Sequence, residues 1–341
     1  MTVRMIDIAK KLGVSVVTVS KVLHDHPDIS EETRTRVLNY IKKVDYQPNI
    51  LARSLVTGRS FLVGLVVPDL LHPFFAEIAK SLSQTIGGNG YLLIIASSEE
   101  DPELEAREIR QLQARRLDAM VIASCAMAND NIEKLALQRE PFVLIDRNFS
   151  ETPSHFVGTD DVSAGRVATE HLFQVGCRRI AHISGRDNST GQGRLAGYKA
   201  ALQAHGLRYR PEYVIERPNV DVDSTEQGKQ AMQTLLNCKV RPDGVFCYND
   251  PLALGAMESI LDKGLRIPED IAVIGCGNLH YDASLRVPLS SIDQQSHLIG
   301  KHAGEVLLEI FKSKKPLPAR TIILEPALVA RASTRRNQSE G

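Results

Sequence analysis

The residues of this chain that could do covalent chemistry are scattered. Ten histidines and five cysteines are present. The cysteines (Cys125, Cys177, Cys238, Cys247 and Cys276) show no paired metal spacing and read as reduced, mostly buried thiols. No GxSxG nucleophile turn, Walker phosphate loop or HExxH pair occurs. Gly191-Gln192-Gly193 is only a fragment of a dinucleotide fingerprint. The sequence therefore calls for no cofactor, no metal and no enzyme. What remains is recognition chemistry, and its densest stretch is RMIDIAKKLGVSVVTVSKVLH, from Arg4 to His24.

Two short helices on a tight turn would position that stretch. Met5, Ile8, Ala9 and Leu12 fall on one face of a first helix. Gly13 stands where a helix ends on a left-handed residue. Ser15 can cap a second helix with Val19, Val22 and Leu23 inside. Small, flexible and apolar residues at Ala9, Gly13 and Val19 suit a helix-turn-helix, whose second helix enters the DNA major groove. Ser30 caps a third helix, with Glu31 and Glu32 in its first turn and Val37, Tyr40, Ile41 and Val44 on its apolar face. YQPN ends it. In NILARSLVTG, Asn49 can cap a helix of about two turns, too short to persist alone in water. Its Leu51, Ala52 and Leu55 share a face with no core nearby.

The chain has 341 residues, 43% apolar and 24% charged, with a net charge of zero. That balance fits a soluble chain of two or three domains. Zero hides an asymmetry. Residues 1–60 hold 10 Lys and Arg against 6 Asp and Glu, so 10 − 6 = +4, and the rest carries 31 − 35 = −4. A basic head on an acidic body suits a polyanionic partner. No apolar run of about 18 residues is present, so no membrane span is expected. The N-terminus shows no signal-peptide core, and the expected location is the cytoplasm.

From Phe61 the texture alternates between strand and helix. FLVGLVV, YLLIIAS, AMVIAS and FVLID are strands of one series, with helices at PFFAEIAKSLSQTI, Pro102 to Arg116 and Asp130 to Gln138. A second series starts near Gly158, with helices at Ala164–Val175, Arg194–His205, Ser224–Asn237 and Leu252–Lys263. A last helix, Leu298–Phe311, and the strand TIILE follow. Such alternation predicts an α/β fold of two lobes, each a parallel sheet wound on both faces. Ligands of such sheets bind beyond the carboxyl ends of the strands. Those ends fall around Pro68–Phe75, Asp146–Arg147, Gly185–Arg194, Asn249–Asp250 and Gly275–Asn278.

In combination and in order, IDIAKKLGVSVVTVSKVL, YQPNILARSL, PFFAEI, GRLAGY, NDPLALGAM and SIDQ resemble the lactose repressor and galactose repressor family of transcription regulators. The resemblance spans nearly the whole chain. It implies a three-helix headpiece over 1–47, a hinge helix and linker over 48–59, and a core over 60–330 like the periplasmic sugar-binding proteins. The N-lobe would take about 60–158 and 294–322, and the C-lobe about 159–291 and 323–330, leaving 331–341 as a polar tail. It further implies a homodimer on pseudo-palindromic double-stranded operator DNA, repressing transcription. A small effector between the lobes, usually a sugar or purine, would control affinity.

By the same resemblance, Val16, Val17 and Lys21 match positions that read base edges. Lys21 can donate to guanine, whereas valines touch only apolar groups such as the thymine methyl. Val16 also stands three before Val19, where a core position falls. Ser15, Thr18, Ser20 and His24 match phosphate-bonding positions. Asn49, Ala52 and Leu55 belong to the hinge helix, with Leu55 at the residue that wedges into the minor groove. For the effector, Phe74 and Phe75 match a ring-stacking position, with core packing the alternative. Arg194, Asp146 and Asn249 match polar effector ligands, and Gln294 lies at the lobe crossover. Asp250 is expected to cap the helix of NDPLALGAM.

One departure stands out. Where the family commonly carries a tyrosine and a ligand-binding aspartate, this chain has Gly275-Cys276-Gly277-Asn278. Either Asn278 or His280 substitutes, or the effector differs in kind. His72 stands where an asparagine is usual. Two rival readings are a transport-linked solute-binding protein, which the headpiece argues against, and a regulator that needs a corepressor.

Overall fold

A computed structural model describes residues 3–23, 26–46, 54, 57–126, 130–149 and 152–336. The chain divides into two compact units, Met1–Ser60 and Phe61–Gly341.

The first unit holds three helices: α1 (Met5–Leu12), α2 (Val16–Leu23) and α3 (Glu31–Lys43). Gly13 ends α1 in the left-handed conformation at φ 66°. The Ser15 hydroxyl accepts the Thr18 N–H at 2.9 Å, and Ser30 accepts that of Thr33. Ile8, Ala9, Val19, Val22 and Val37 form the core, one or two from each helix. Arg36 of α3 donates to the Leu12 carbonyl at 2.6 Å, a cation at the helix C-terminus that closes α1 from outside.

The second unit contains two six-stranded sheets. The first lobe has β1 (Leu62–Val67), β2 (Leu92–Ser97), β3 (Ala119–Ile122), β4 (Phe142–Ile145), β5 (His155–Thr159) and β11 (Thr321–Leu324). Its order is β11-β5-β4-β3-β1-β2, parallel throughout. It carries α4 (Pro73–Gly87), α5 (Pro102–Ala114), α6 (Asp130–Leu137) and the late helix α11 (Ser296–Lys312). The second lobe has β6 (Ile180–Ser184), β7 (Val214–Glu216), β8 (Gly244–Cys247), β9 (Ala272–Cys276), β10 (Ser290–Asp293) and β12 (Ala327–Val329). Its order is β12-β10-β9-β8-β6-β7, with only β12 antiparallel. Its helices are α7 (Asp161–Gln174), α8 (Ser189–Ala204), α9 (Ser224–Leu236) and α10 (Asp250–Asp262). The chain crosses between lobes after β5, after β10 and after β11.

Central strands such as β1 and β8 are apolar without alternation because helices cover both faces. Glycine sets the helix spacing in the second lobe. A Cβ on Gly165 or Gly197 would stand 2.1 or 2.0 Å from a backbone oxygen of the facing helix, so α7 and α8 touch along their backbones. Gly228 and Gly255 repeat this between α9 and α10, at 2.0 and 1.8 Å.

Several helices start earlier than periodicity indicates. α7 begins at Asp161 rather than Ala164, and α8 at Ser189 rather than Arg194, because Asp160 and Asn188 cap them. Their first turns are polar and turned toward the cleft, so the apolar period starts a turn late. The expected tail is also corrected in its first residues. Ser333 and Thr334 are fully buried, and Ser333 bonds Ser290 and Val273 while Thr334 bonds His171. This segment reads as polar because its hydroxyls are hydrogen-bonded inside the second lobe.

The backbone contact at Gly197 predicts that Gly197→Ala costs about 3 kcal/mol or more of stability, since neither helix can yield locally. Urea unfolding measures it, and an unchanged midpoint would contradict the packing described.

Candidate functional site

In the headpiece, α2 presents the residues singled out for base reading. Val16 is 39% exposed and Val17 63%, so both leave the core to Val19 and Val22. The core alternative for Val16 is thereby corrected. Val16 is the first residue of α2 and takes no place in the headpiece core. The Ser15 and Thr18 hydroxyls are bonded to each other at 2.8 Å. Lys21 forms an ion pair with Asp28, which also holds His26 Nδ1 at 2.7 Å. That pair is solvent-exposed and therefore weak, so the Lys21 ammonium can leave it for a stronger acceptor. Ser20 has a contact of its own. His24, Asn49, Ala52 and Leu55 lie outside the described residues.

In the second unit, the strand ends converge on a polar cluster between the lobes, with Arg147 at its centre. Arg147 follows β4 and is 2% exposed. Its Nη2 donates to Glu100 from the first lobe at 2.5 Å and to Asp221 from the second. Its Nη1 donates to the Ser124 carbonyl at 3.2 Å. Arg186 of the second lobe reaches Glu100 at 3.5 Å and the Cys125 carbonyl at 3.1 Å. Two backbone contacts add to the bridge: Asn148 N–H to Ser189 Oγ at 2.9 Å, and Thr190 Oγ1 to the Asp146 carbonyl at 3.2 Å. Burial raises the pKa values of Glu100, Asp146 and Asp221, and the Arg147 charge works against the rise. Burial alone would lower the Arg147 pKa, but Glu100 and Asp221 hold it well above its ordinary value. His72, buried beside Asp221 at 3.7 Å, is pushed down to about 4 by loss of solvent and is neutral.

The expected effector residues divide around this cluster. Asp146 belongs to it, held in the left-handed region at φ 61° with its carboxylate 3.7 Å from Arg147 Nε. Asn249 belongs to it as well. Its Nδ2 stands 2.9 Å from the Val220 carbonyl, 3.2 Å from Asp221 and 3.3 Å from His72. Its Oδ1 caps α10 by accepting the Leu252 N–H, a role expected of Asp250. Arg194 needs correction. It lies inside α8 rather than at a strand end, donates to Asp161 at 3.0 Å and to the Tyr248 carbonyl, and stacks over the Tyr248 ring. It ties together elements of the second lobe, although its charge still bears on Asp146 and His72. Phe74 and Phe75 are corrected too. Both are buried in the first-lobe core, edge to face at 5.1 Å, where the ring nearest them across the cleft side is His72. Gln294 is buried at the crossover, its carbonyl accepting from Thr159 at 2.8 Å.

Glu100 and Asp221 are not among the residues the sequence picks out, and Arg186 falls only within the strand end Gly185–Arg194. Glu100 sits in an acidic stretch that reads as a helix start, and Asp221 follows the expected strand YVIE by four residues of loop. The one available signal was their position at the carboxyl ends of β2, β7 and β6.

The glycines of the departure have a structural cause. A Cβ on Gly275 would meet Asp250 Oδ1 at 2.1 Å, and one on Gly277 would meet Asp250 Oδ2 at 2.7 Å. The buried Asp250 carboxylate fills that space, accepting from Ser291 Oγ at 2.6 Å and Leu279 N–H at 3.2 Å. Asn278 is bonded to Asp293 and Arg331, both of which anchor the second lobe, and shares no partner with the Arg147 cluster among the described residues. It is corrected to a structural residue, and His280 is exposed.

Asp282 is fully buried near Asp250, 3.9 Å from Arg331. Burial and the Asp250 charge raise its pKa, so the pair retains a proton that the unfolded chain releases. The folded chain then binds more protons above the ordinary carboxylate range, and stability falls as pH rises through that window. Asp282→Asn should flatten this fall. Unfolding midpoints compared on either side of neutrality check it, and parallel curves for the two proteins would refute the shared proton.

Residues 60–331 match the family model described as periplasmic binding proteins and sugar binding domain of LacI family. Residues 4–49 match that of bacterial regulatory proteins, lacI family. The chain is 30% identical over 332 residues to the HTH-type transcriptional regulator DegA of Bacillus subtilis, covering 96% of this chain and 97% of that one. It is 30% identical over 333 residues to the HTH-type transcriptional repressor PurR of Haemophilus influenzae, covering 96% and 98%. Among solved structures, the transcriptional regulator CelR–cellobiose complex aligns with a TM-score of 0.73 at 27% identity, over 97% of this chain and 99% of that one. An exposed reading helix on its own three-helix core, followed by a two-lobed α/β unit with a polar cleft, is thus matched along nearly its full length, and the chain belongs to the LacI family of bacterial regulatory proteins.

Proposed function

We propose that this chain is a transcriptional repressor that binds a pseudo-palindromic operator as a homodimer, with affinity set by a small polar effector in the inter-lobe cleft. The observation that carries the reading is α2, which offers Val16, Val17 and Lys21 outward while Val19 and Val22 anchor it. Apolar side chains there suit thymine methyl groups, and Lys21 suits guanine O6 and N7. Ser15 and Thr18 supply short hydroxyl donors for phosphates, which fix register.

The homodimer finds support on the outer edge of the first lobe. Leu71 is 88% exposed and Leu92 65%, with Leu70 and Ile95 also exposed. Beside them Val67, Phe75, Ala79 and Leu93 line a groove of about 380 Å³. Edge strand β2 is a row of large apolar side chains, which a second copy would cover. The cleft is polar, with donors and acceptors from both lobes, so a sugar-like molecule fits it. The relative solved with cellobiose supports that class of ligand. A transport-linked solute-binding protein would leave residues 4–49 without a role. No helix among the described residues is long and apolar enough to cross a membrane. The reading assigns the chain no turnover and places it in the cytoplasm with its DNA. Relief of repression by the effector is the default, with corepression as the second logic.

Lys21→Ala should weaken operator binding about tenfold or more while leaving non-specific binding within a few-fold. Gel-shift titration against operator and random duplex measures both, and equal losses would refute base reading. Separately, Leu92→Glu should shift sedimentation from dimer to monomer, and an unchanged dimer would move the interface elsewhere.

A further inference from the structure

The inter-lobe cluster is short of positive charge. Three carboxylates, Glu100, Asp146 and Asp221, surround one buried guanidinium. Glu100 and Asp221 both bond the same Arg147 nitrogen and are hydrogen-bonded to each other, so that pair shares a proton and Asp146 is the carboxylate left over. Asp146 accepts no hydrogen bond from a described side chain and has only Arg147 Nε at 3.7 Å. The other cations are weakly placed or already engaged. Arg186 touches Glu100 at 3.5 Å from a more exposed position, and Arg194 is paired with Asp161.

Two further atoms in the cluster are buried without a hydrogen-bond partner: Arg147 Nε and His72 Nδ1. Both side chains are more than nine-tenths buried. His72 Nε2 faces the Asn249 amide nitrogen at 3.3 Å. That nitrogen is a donor, so the ring hydrogen is assigned to Nδ1. The cluster therefore offers an unbonded carboxylate and two unbonded N–H groups. Buried polar groups of this kind are normally satisfied, and a ligand is one means.

We propose that the effector carries the missing charge: a small polar molecule with a primary ammonium group. The ammonium takes Asp146 and Glu100, and a hydroxyl or carbonyl oxygen of the same molecule accepts from His72 Nδ1 and Arg147 Nε. An anionic effector is disfavoured by the same inventory, because it would add a further negative charge beside the uncompensated Asp146. A neutral polyol can accept from the donors and donate a hydroxyl to the carboxylate, but it leaves the negative charge uncompensated. The inference rests on the reading of this cleft as the effector site and names the class of ligand.

The test is a melting-temperature screen of the full chain with matched sets. One set is glucosamine, glucose and glucuronate, and a second is putrescine, butanediol and succinate. A ligand that binds only the folded state raises Tm. The expected result is a rise of several degrees with an amine and none with its neutral or acidic partner. Asp146→Asn should abolish that rise, and Glu100→Gln should lower amine affinity about tenfold by calorimetric titration. Without ligand, Asp146→Asn should melt no lower than the parent, since it removes an uncompensated charge. A rise with the neutral or acidic member, lost in Asp146→Asn, would overturn the charge inference and leave the effector cleft standing. Failure of every compound to move Tm would overturn both. An amine effect that survives Asp146→Asn would overturn the assignment to this cluster.

Discussion

A guanidinium that is 2% exposed must be paired, and Arg147 is paired from both sides of a cleft. Glu100 reaches it from the end of β2 and Asp221 from the end of β7, so one buried charge joins two separately wound sheets. Removing one partner of a buried pair costs far more than an exposed pair contributes. The position of the lobes relative to each other is therefore coupled to these charged contacts. A ligand able to replace one of these contacts changes the balance between closed and open lobes, as effector control of a two-lobed fold requires.

The rest of the second unit keeps those strand ends in place. Backbone-to-backbone helix contacts at Gly165 with Gly197, and at Gly228 with Gly255, fix α7 on α8 and α9 on α10. Three of these helices, α7, α8 and α10, are capped by Asp160, Asn188 and Asn249. Arg194 in the second turn of α8 and Asp161 at the start of α7 tie these helices together within the second lobe. Leu279 joins the first-lobe core from a second-lobe loop, adding an apolar contact beside the polar one. Asp250 occupies the space beside Gly275 and Gly277, and Asp221 and Glu100 are the acids paired with Arg147.

The headpiece works by a different economy. Five buried side chains form its core, so α2 can turn Val16, Val17 and Lys21 outward without losing its seat. The ion pair between Lys21 and Asp28 is solvent-exposed and therefore weak enough to break.

Local order could be read directly from the residues. Ser15, Gly13 and Ser30 mark helix ends by chemistry that acts within four residues, and the apolar period of α1 to α3 needs only neighbours three and four apart. The alternation of strand and helix likewise announced two wound sheets. The centre of the cleft was not legible, because it joins residues far apart in sequence: Arg147 and Asp221 are 74 positions apart, and Arg147 and Glu100 are 47. Acidic residues at 99–101 look the same whether they start a helix or pair with a buried arginine. Nor could the sequence explain two glycines at 275 and 277, since their cause is a carboxylate on another helix. Pattern reports what a residue does to its neighbours along the chain, whereas burial and charge pairing depend on which strand ends the fold brings together.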